Sequence, residues 1–392
     1  MPYTGPEPAR RPLSSDDITD GIISTADLAD SAVTAAKVSS DVSQLGRNLI
    51  INGAMLVAQR GTNATILSGF DSTTNSYIAD RFLASGGGTP ENRADLKHVS
   101  SGGPAGFPNF IRYDVTTAET AVAAGESSII QQRIEGFNLQ SIQASSGIVA
   151  LTLQFYMRSP KTGTHCVYLS TQNTRNIVKE FTVASADTWE KHTVSFIADT
   201  SGGTVSNAAA EFLRVGWPII AGTTYQGTAD AWTASNIFAT SNQQNLADNT
   251  ANNIDITGVQ LEVGSVATDF EHEDYGTTLA KARRRLRYQS SGSDIILGQG
   301  RSNTTTACVI TIPLGIPMSG TPSLIYNAAG DFQINYDGAS TPVTAISLSG
   351  SSDLNTASLN VTVGGGIIAA ARPVELRFDG AAIRVLGFTT EL

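Results

Sequence analysis

Apolar and polar residues alternate along most of the chain between residues 47 and 272, in short segments separated by Gly, Asn, Asp and Ser. Because the side chains of a β-strand point alternately to its two faces, this pattern is typical of strands with one buried face. The clearest segment, residues 149–157, places Leu151, Leu153, Phe155 and Met157 on one face. We therefore predict that these four side chains lie in a core.

Residues 188–196 and 254–263 show the same alternation. In the first segment Val194 and Phe196 share one face, and the opposite face carries Trp189, Lys191, Thr193 and Ser195. In the second, strict alternation places Ile254, Ile256, Gly258, Gln260 and Glu262 opposite Val259, Leu261 and Val263. With residues 212–217 and several shorter segments, at least seven strands are expected. Short strands bounded by turn residues are typical of an antiparallel all-β sandwich.

One segment has helical character instead. Residues 277–288 combine Thr277 as an N-cap, good helix formers and basic residues towards the C-terminal end, where they complement the helix dipole. The basic run could pair with acidic residues of sister chains or of the preceding domain, or form a solvated face; the acidity of the whole chain disfavours nucleic acid. The candidate residues for packing of this helix between chains are Leu279, Arg283, Leu286 and Arg287.

Beyond residue 290 the chain returns to short strands, for example at residues 307–312 and 374–378, broken by Gly and Pro. About a hundred residues suffice for a small second β domain, which we expect to be a sandwich. The predicted organisation is an extended N-terminal attachment segment (1–45), a β-sandwich (46–272), a helical connector (273–290) and a C-terminal β domain (291–392).

The first 45 residues cannot form a core by themselves, because four prolines fall within residues 2–12 and Tyr3 is the only aromatic residue before Phe70. Residues 20–29 and 30–39 are self-similar, and such repeats become stable by stacking on neighbours or on copies from other chains. This segment is either an anchor that orders against partner chains or a flexible acidic linker. The candidate anchor residues are Tyr3, Ile22, Ile23, Leu28, Val33 and Val38.

Composition narrows the classes of function. The 392-residue chain has a net charge of −10, which opposes general attraction to nucleic acid or to an anionic membrane surface. No apolar run approaches the roughly 18 residues that a membrane span needs, so we expect no membrane insertion. Cys166 and Cys308 are too few for a disulfide framework or a multi-cysteine zinc site, and both are predicted to be buried thiols.

Sequence motifs for catalysis are missing. The chain has no Gly-x-Ser-x-Gly elbow, no phosphate-binding loop and no His-Glu-x-x-His zinc pattern, and its four histidines are scattered. The acidic group Glu271, Glu273 and Asp274 lies in a short connector, where a solvated turn is expected instead of the paired carboxylates of a glycosidase. We therefore expect neither an enzyme nor a cofactor or metal site.

A sugar site needs aromatic rings, whose faces cover sugar C–H groups, beside polar side chains that bind the hydroxyls. Three aromatic residues cluster in sequence around residues 222–224, near the polar segment 241–245. Trp217 ends an apolar strand, which favours a core position, whereas the pattern around the other two suits surface and core equally. The candidate glycan-binding residues are Tyr225, Trp232 and Trp217.

Several short sequence motifs, taken in their order along the chain, resemble those of the β-sandwich proteins of tailed-bacteriophage tails and fibres. Residues 47–55 and 59–61 resemble the opening of their jelly-roll domain, residues 79–82 its next landmark, and residues 131–136, 151–159 and 189–191 its middle. The most specific match, residues 257–268 with 270–271 and 274–276, resembles its closing strand and exit; Asp269 stands where the family often has Pro. Residues 317–318 and 321–322 resemble the start of the C-terminal β domain that often follows.

This resemblance implies a jelly-roll sandwich in a virion structural protein, commonly a homotrimeric tail fibre made in the host cytoplasm. Its N-terminus would dock on tail, baseplate or adaptor proteins, and its β domains would point outward for host attachment. The same fold serves many carbohydrate-binding modules, so a receptor-recognition module for a host surface glycan is an alternative. The resemblance is also compatible with a head decoration fibre and, with least support, with a surface-polysaccharide depolymerase.

Overall fold

The structure is a computed structural model that describes residues 46–61, 76–88, 94–172, 175–291, 295–364, 369–379 and 384–391. The predicted attachment segment, with its candidate residues Tyr3, Ile22, Ile23, Leu28, Val33 and Val38, lies outside the described residues. The rest of the chain, Leu45–Leu392, is one compact unit. The regular secondary structure of its described part is mostly β-strand, and every strand pairing is antiparallel, which confirms the predicted fold class.

Thirteen strands precede the helix. In chain order they are β1 (Ser76–Tyr77), β2 (Phe82–Gly87), β3 (Ala94–Val99), β4 (Phe110–Val115), β5 (Ser127–Glu135), β6 (Gln143–Ala144), β7 (Gly147–Ile148), β8 (Leu151–Arg158), β9 (Gly163–Thr171), β10 (Arg175–Val183), β11 (Glu190–Phe196), β12 (Glu211–Ala221) and β13 (Asn253–Val263). Eleven of them form two sheets, in the orders β1-β2-β5-β12-β9-β10 and β11-β8-β13-β4-β3, and β6 pairs with β7.

The two sheets pack face to face around one apolar core. Leu151, Leu153, Phe155 and Met157 are all buried in it, as the alternation in β8 predicts. The contact between sheets is centred on Phe155, whose ring meets the edge of Trp217 on β12 at a centroid distance of 5.3 Å. Residues 222–252 cross the outer face of the six-stranded sheet, where they form a second, smaller apolar cluster with Ile129, Cys166, Tyr168 and Val178.

The prediction for residues 254–263 is wrong in one respect. Ile254 and Ile256 do not lie opposite Val259 and Leu261; all four side chains are fully buried in the same core. The reason is a β-bulge between Thr257 and Gln260, centred on Gly258, which adopts a left-handed φ of +61°. A bulge adds one residue to a strand and so inverts its alternation beyond that point.

The predicted helix is shorter than expected. Helix α1 spans Tyr275–Arg283, and its N-cap is Asp274 and not Thr277: the Asp274 carboxylate accepts from the Thr277 amide at 3.0 Å. Residues Leu286–Ser291 form strand β14 because they pair with residues 384–389 near the C-terminus. Local sequence favours the helix there, but a long-range strand partner overrides it.

The C-terminal part contains nine strands including β14. The others are β15 (Ile296–Ser302), β16 (Ala307–Pro313), β17 (Ser323–Tyr326), β18 (Phe332–Tyr336), β19 (Ala339–Leu348), β20 (Thr356–Val363), β21 (Pro373–Phe378) and β22 (Arg384–Thr389). The expected sandwich is here a closed barrel, β15-β16-β20-β19-β18-β21, because β21 pairs with both β15 and β18. A three-stranded sheet, β14-β22-β17, covers one part of its core.

Candidate ligand-binding site

Trp217, one of three predicted glycan-binding residues, is a core residue and not a surface one. Its side chain is only 1% exposed and packs between the two sheets against Phe155. A ring buried in this way cannot stack on a sugar, so this candidate is corrected. The strand that carries it has no charged or polar side chain from Val215 to Ala221, which is the physical reason for its position.

Tyr225 and Trp232 are half-buried, and each holds a different part of the segment that crosses the six-stranded sheet. Tyr225 stacks on Phe238 at a centroid distance of 4.9 Å. Trp232 packs against the main core, and its indole N–H donates to the carbonyl of Ile197 at 2.9 Å. Among the described residues no ring contact joins the two. The structure therefore does not bring the predicted aromatic residues together, and their binding role stays a prediction.

A different aromatic and polar group lies on the outer face of the five-stranded sheet. Strand register places Lys97, Arg112, Asp255 and Arg158 side by side across the neighbouring strands β3, β4, β13 and β8. Partners in an antiparallel ladder point to the same face, so these four side chains form one row. Their common face is the one directed away from the core.

Asp255 is the centre of this row. Its carboxylate is fully buried and accepts from Arg112 through Nε at 2.7 Å and Nη2 at 2.9 Å. It also accepts from Arg158 through Nε at 2.8 Å and Nη2 at 2.6 Å. The hydrogen bonds to Asp255 raise the pKa of Arg112 above its ordinary value. One buried carboxylate thus fixes two guanidinium groups, whose side chains are still 28% and 25% exposed.

Two aromatic rings contact the guanidinium of Arg158. Its guanidinium carbon lies 4.9 Å from the ring centroid of Trp189 and 5.3 Å from that of Phe110, which are cation–π distances. The rings of Trp189 and Phe110 meet edge to face at 5.2 Å. The Trp189 indole N–H donates to the carbonyl of Gly102 at 3.0 Å. We call the group Phe110, Arg112, Arg158, Trp189 and Asp255 the arginine face.

Part of the outer surface of the five-stranded sheet is covered by other segments, and the arginine face lies beside that part. One border is an aromatic group in which Phe107 contacts Tyr156 at 5.3 Å and Phe270 at 4.7 Å. Beyond it, the segment after β13 lies across the sheet: Gln154 donates to the carbonyl of Thr268 at 2.6 Å. Trp189 remains partly exposed. A ligand can therefore approach this sheet at the arginine face.

The predicted glycan-binding residues do not include this group, although the alternation in residues 188–196 contains a signal for it. Val194 and Phe196 are buried, as predicted, and Trp189 and Lys191 lie on the opposite face. A tryptophan on the polar face of a strand with one buried face is a stronger surface candidate than Trp217, which lies in the apolar part of its strand. The two arginines could not be found in this way, because they come from separate strands that only the fold brings together.

The acidic residues of the connector have structural roles. Glu271 accepts from the Asn48 amide at 2.8 Å and from the Gly46 amide, which fixes the start of the sandwich to its exit. Glu273 pairs with Lys281, and Asp274 caps α1. The hydrogen bonds from Thr277 lower the pKa of Asp274. These carboxylates are accounted for by the fold.

Cys166 and Cys308 are buried free thiols, as predicted. Within the described residues no cluster of three or more His, Cys, Asp or Glu side chains could hold a metal ion. No helix in the same part of the chain is long and apolar enough to span a membrane.

The helix candidates have mixed outcomes. Leu279 is half-buried and Arg283 is exposed, so a contact of α1 with another chain stays a prediction. Leu286 and Arg287 are corrected: they lie on strand β14, where Leu286 is buried and Arg287 donates to the carbonyl of Pro313. Both side chains are engaged within their own chain.

The basic run contributes one buried residue, Arg285, which contacts the sandwich. It donates to Glu135 at the end of β5 and to the carbonyl of Ala209, and its Nη1 donates to the carbonyl of Thr390 at 2.6 Å. Glu135 also pairs with Arg81 at 3.1 Å. The predicted pairing of the basic run with the preceding domain is therefore realised at Arg285.

Two further contacts lie in the same seam between sandwich and barrel. Gln59 donates to the carbonyl of Leu286 at 2.7 Å and to Asp80, and Arg60 pairs with Glu391. Together with Arg285, these contacts connect three separate stretches of the sandwich to β14 and to the chain end after β22. The two β units are thus joined by side chains as well as by the connector.

Comparison with known proteins finds similarity in structure and none in sequence family. No family model matches the chain, and no curated protein matches it significantly. Its structural neighbours include a phage tailspike domain and carbohydrate-binding modules. The first is the enzymatically active domain of bacteriophage CBA120 tailspike protein 4, with 12% identity and a TM-score of 0.30 over 58% of this chain.

Two more neighbours were solved with oligosaccharides. TmCBM61 in complex with β-1,4-galactotriose has 8% identity and a TM-score of 0.27 over 56% of this chain. The CBM22-1–GH10 modules of Clostridium thermocellum xylanase 10B with xylohexaose have 9% identity and a TM-score of 0.27 over 56%. The chain spans 22% of the tailspike structure, 99% of TmCBM61 and 29% of the xylanase structure. Similarities at this level carry no argument about function.

Proposed function

We propose that this protein is a non-enzymatic structural component of a tailed-phage virion, a tail fibre that binds a host surface glycan through the arginine face. The observation that carries the binding role is the partly exposed ring of Trp189, held 4.9 Å from a guanidinium that Asp255 fixes in place. The virion role is supported by the sequence motifs that resemble those of phage tail proteins. Docking through residues 1–45, trimerisation and production in the host cytoplasm belong to the same proposal.

The chemistry of the arginine face suits a sugar. Aromatic rings cover the apolar faces of pyranose rings, and N–H groups donate to hydroxyl oxygens. Because Arg112 and Arg158 are already fixed by Asp255, little side-chain entropy is lost when they bind a ligand. A flat, partly exposed face beside ordered donors fits an extended polysaccharide chain better than a small enclosed ligand.

The seam between sandwich and barrel supports a fibre role. A fibre must hold its binding domains in a fixed direction, and domains joined by a linker alone move relative to each other. Here the buried residues Arg285, Glu135 and Arg81 connect the two β units directly. The arrangement is that of a stiff two-domain element.

The binding role is tested with Trp189→Ala, measured by adsorption to host cells and by calorimetric titration with host surface polysaccharide. We expect binding to fall about five- to thirtyfold, since a lost stacking ring costs on the order of 1–2 kcal/mol. Tyr225→Ala and Trp232→Ala are the matched controls, because they remove other half-buried rings. Unchanged binding in Trp189→Ala would overturn the arginine face as the site, and loss only in the controls would restore the sequence prediction.

The virion role is tested by immunogold labelling of particles with antibodies against the sandwich. Label at the tail supports the proposal, label on the head identifies a decoration fibre instead, and unlabelled particles overturn it. Light scattering should give three times the chain mass of 41.0 kDa. A chain that lacks residues 1–45 should stay soluble but fail to enter particles. Release of reducing ends from host polysaccharide would identify a depolymerase and contradict the non-enzymatic role.

A further inference from the structure

The two arginines of the arginine face leave the same atom unused. Arg112 and Arg158 each donate to Asp255 through Nε and Nη2. Neither Nη1 has a hydrogen-bond partner among the described residues, and neither belongs to the buried atoms without partners. Both guanidiniums therefore present an N–H group towards solvent on the same face of the sheet.

We infer that the arginine face selects acidic glycans, in which the sugar carries a carboxylate or a sulfate. This inference rests on the proposed glycan-binding function and adds the class of sugar. Guanidinium N–H groups form their strongest hydrogen bonds with anionic oxygens, and Arg158 can do so while its plane stays beside Trp189. The ring would cover the sugar, and the two Nη1 groups would bind its anionic substituent.

The local charges favour an anion although the whole chain is acidic. Arg112, Arg158 and Lys191 face solvent around a single carboxylate, that of Asp255, which is buried. The other carboxylates of this face are Asp95 on β3 and Asp114 on β4, and Lys97 pairs with both. Asp114 also acts on the guanidinium of Arg112. With Lys97 included, four positive charges stand against three carboxylates, so the face keeps a positive charge.

The test measures the binding of matched glycans to the full-length protein by calorimetric titration. The probes are oligogalacturonate, its methyl ester, which has the same sugar without the charge, a sulfated galactan and the neutral galactan. We expect the wild type to bind an acidic probe at least tenfold more tightly than its neutral counterpart. That preference should shrink when salt is raised from about 0.05 M to about 0.5 M. The uronate and sulfate arms distinguish the two kinds of acidic sugar.

Two variants separate the inference from the proposed function. Arg112→Lys keeps a charge beside Asp255 but loses the fork and its free Nη1, so it should weaken binding of the acidic probe more than binding of the neutral galactan and lose most of the acidic preference. Lys191→Gln removes an exposed positive charge of the same face and should change the preference less than twofold. Equal binding of acidic and neutral probes, or a preference that Arg112→Lys leaves intact, overturns the inference alone.

Binding of none of the probes by the folded wild-type chain overturns the proposed function together with the inference. The wild type alone gives the difference in affinity between oligogalacturonate and its methyl ester, and the effect of salt on that difference. These measurements remain decisive if Arg112→Lys fails to fold. An unchanged circular dichroism spectrum and an unchanged midpoint of urea unfolding show that the variant is folded.

Discussion

Arg285 and Glu135, 150 positions apart in the sequence, form a buried ion pair that joins the chain before β14 to the end of β5. Glu135 receives a second guanidinium, that of Arg81, and all three residues are at most 5% exposed. Burial acts to raise the pKa of Glu135, but the two guanidiniums outweigh it and hold that pKa below the ordinary value. The carboxylate is therefore charged in the folded protein and depends on both partners.

Removal of Arg285 should weaken the seam strongly. In Arg285→Met the side-chain volume is kept, but Glu135 loses one of its two guanidiniums, and the carbonyls of Ala209 and Thr390 lose a donor. Breaking a buried ion pair typically costs about 3–5 kcal/mol, and we expect a loss in this range in urea unfolding followed by tryptophan fluorescence. Arg283→Met, at an exposed position two residues earlier, should stay within about 0.5 kcal/mol of wild type. If Arg285→Met lowers the unfolding free energy by less than about 1 kcal/mol, the ion pair does not stabilise the folded protein.

The bulge at Gly258 should tolerate no side chain. Its φ of +61° is unfavourable for other residues, and a Cβ there would lie 2.9 Å from Cδ2 of Tyr156 and 3.2 Å from the ring of Phe107. For Gly258→Ala we expect a loss of about 2–4 kcal/mol in the free energy of unfolding, from backbone strain and overpacking together.

Gly315→Ala is the matched control for Gly258→Ala. Gly315 also has a positive φ, +78°, but a Cβ there would meet no atom within 4 Å. Gly315→Ala should therefore lower the free energy of unfolding by only about 1 kcal/mol, from backbone strain alone. Equal losses in the two variants would mean that the crowding against Tyr156 and Phe107 is relieved by small shifts.

The period-two pattern predicted the core correctly where a strand is regular. Leu151, Leu153, Phe155 and Met157 are buried because β8 is uninterrupted along them. The same reasoning failed at Ile254 and Ile256, because a bulge is set by a single glycine conformation that alternation cannot register. The helix was extended too far because the partner of Leu286, Thr389, is 103 positions away, and propensity does not register such a partner.

The candidate site was less predictable than the fold. Aromatic residues close together in sequence, such as Tyr225 and Trp232, were separated by the packing of the segment that carries them. Trp189 and Arg158 meet only because β11 and β8 are neighbours. Some of the motifs that resemble phage tail proteins, in contrast, have clear structural roles: Gln59, Asp80 and Glu135 all lie in the seam. Short motifs of this kind mark contacts between parts of the fold more readily than they mark a binding surface.

His165 should make the protein acid-sensitive in a defined pH range. Burial lowers its pKa from 6.5 to about 4, against the effect of its hydrogen bond with the carbonyl of Lys161; nearby His192 lowers it further. The unfolded chain therefore binds a proton at a higher pH than the folded chain does. Stability from this group is fully present above pH 6.5 and is lost as the pH falls towards 4.

The change expected for His165 is about 3 kcal/mol, at roughly 1.4 kcal/mol per pH unit. It is measured as the difference in unfolding free energy between the wild type and His165→Gln at a series of pH values. This difference should be constant between pH 7 and 8 and should shift in favour of the variant as the pH falls from 6.5 to 4. All other titrating groups are common to both proteins and cancel. A difference that does not change with pH would mean that His165 is protonated in the folded state as readily as in the unfolded state.

Asp80 should have the opposite effect, and it lies in the seam. Burial raises its pKa from 3.8 to about 6, although the Gln59 amide and side chain donate to it and Arg60 is near. The folded chain therefore holds this proton more firmly than the unfolded chain does. Stability from this group is fully present below pH 3.8 and is lost as the pH rises through 6, at a cost of about 3 kcal/mol at neutral pH.

Asp80→Asn isolates this cost because it removes the titration and keeps the shape. The substitution also changes the unfolding free energy in a way that does not depend on pH. The Gln59 side-chain amide must turn over to pair with the amide of Asn at position 80, and the carbonyl of Leu286 then loses its donor. The effect of the titration, in contrast, depends on pH. In urea unfolding the variant should therefore gain about 3 kcal/mol relative to wild type between pH 4 and pH 7. Parallel stability profiles for the two proteins would show that Asp80 is ionised in the seam at no cost, and that the guanidinium of Arg60 neutralises it more effectively than its burial opposes ionisation.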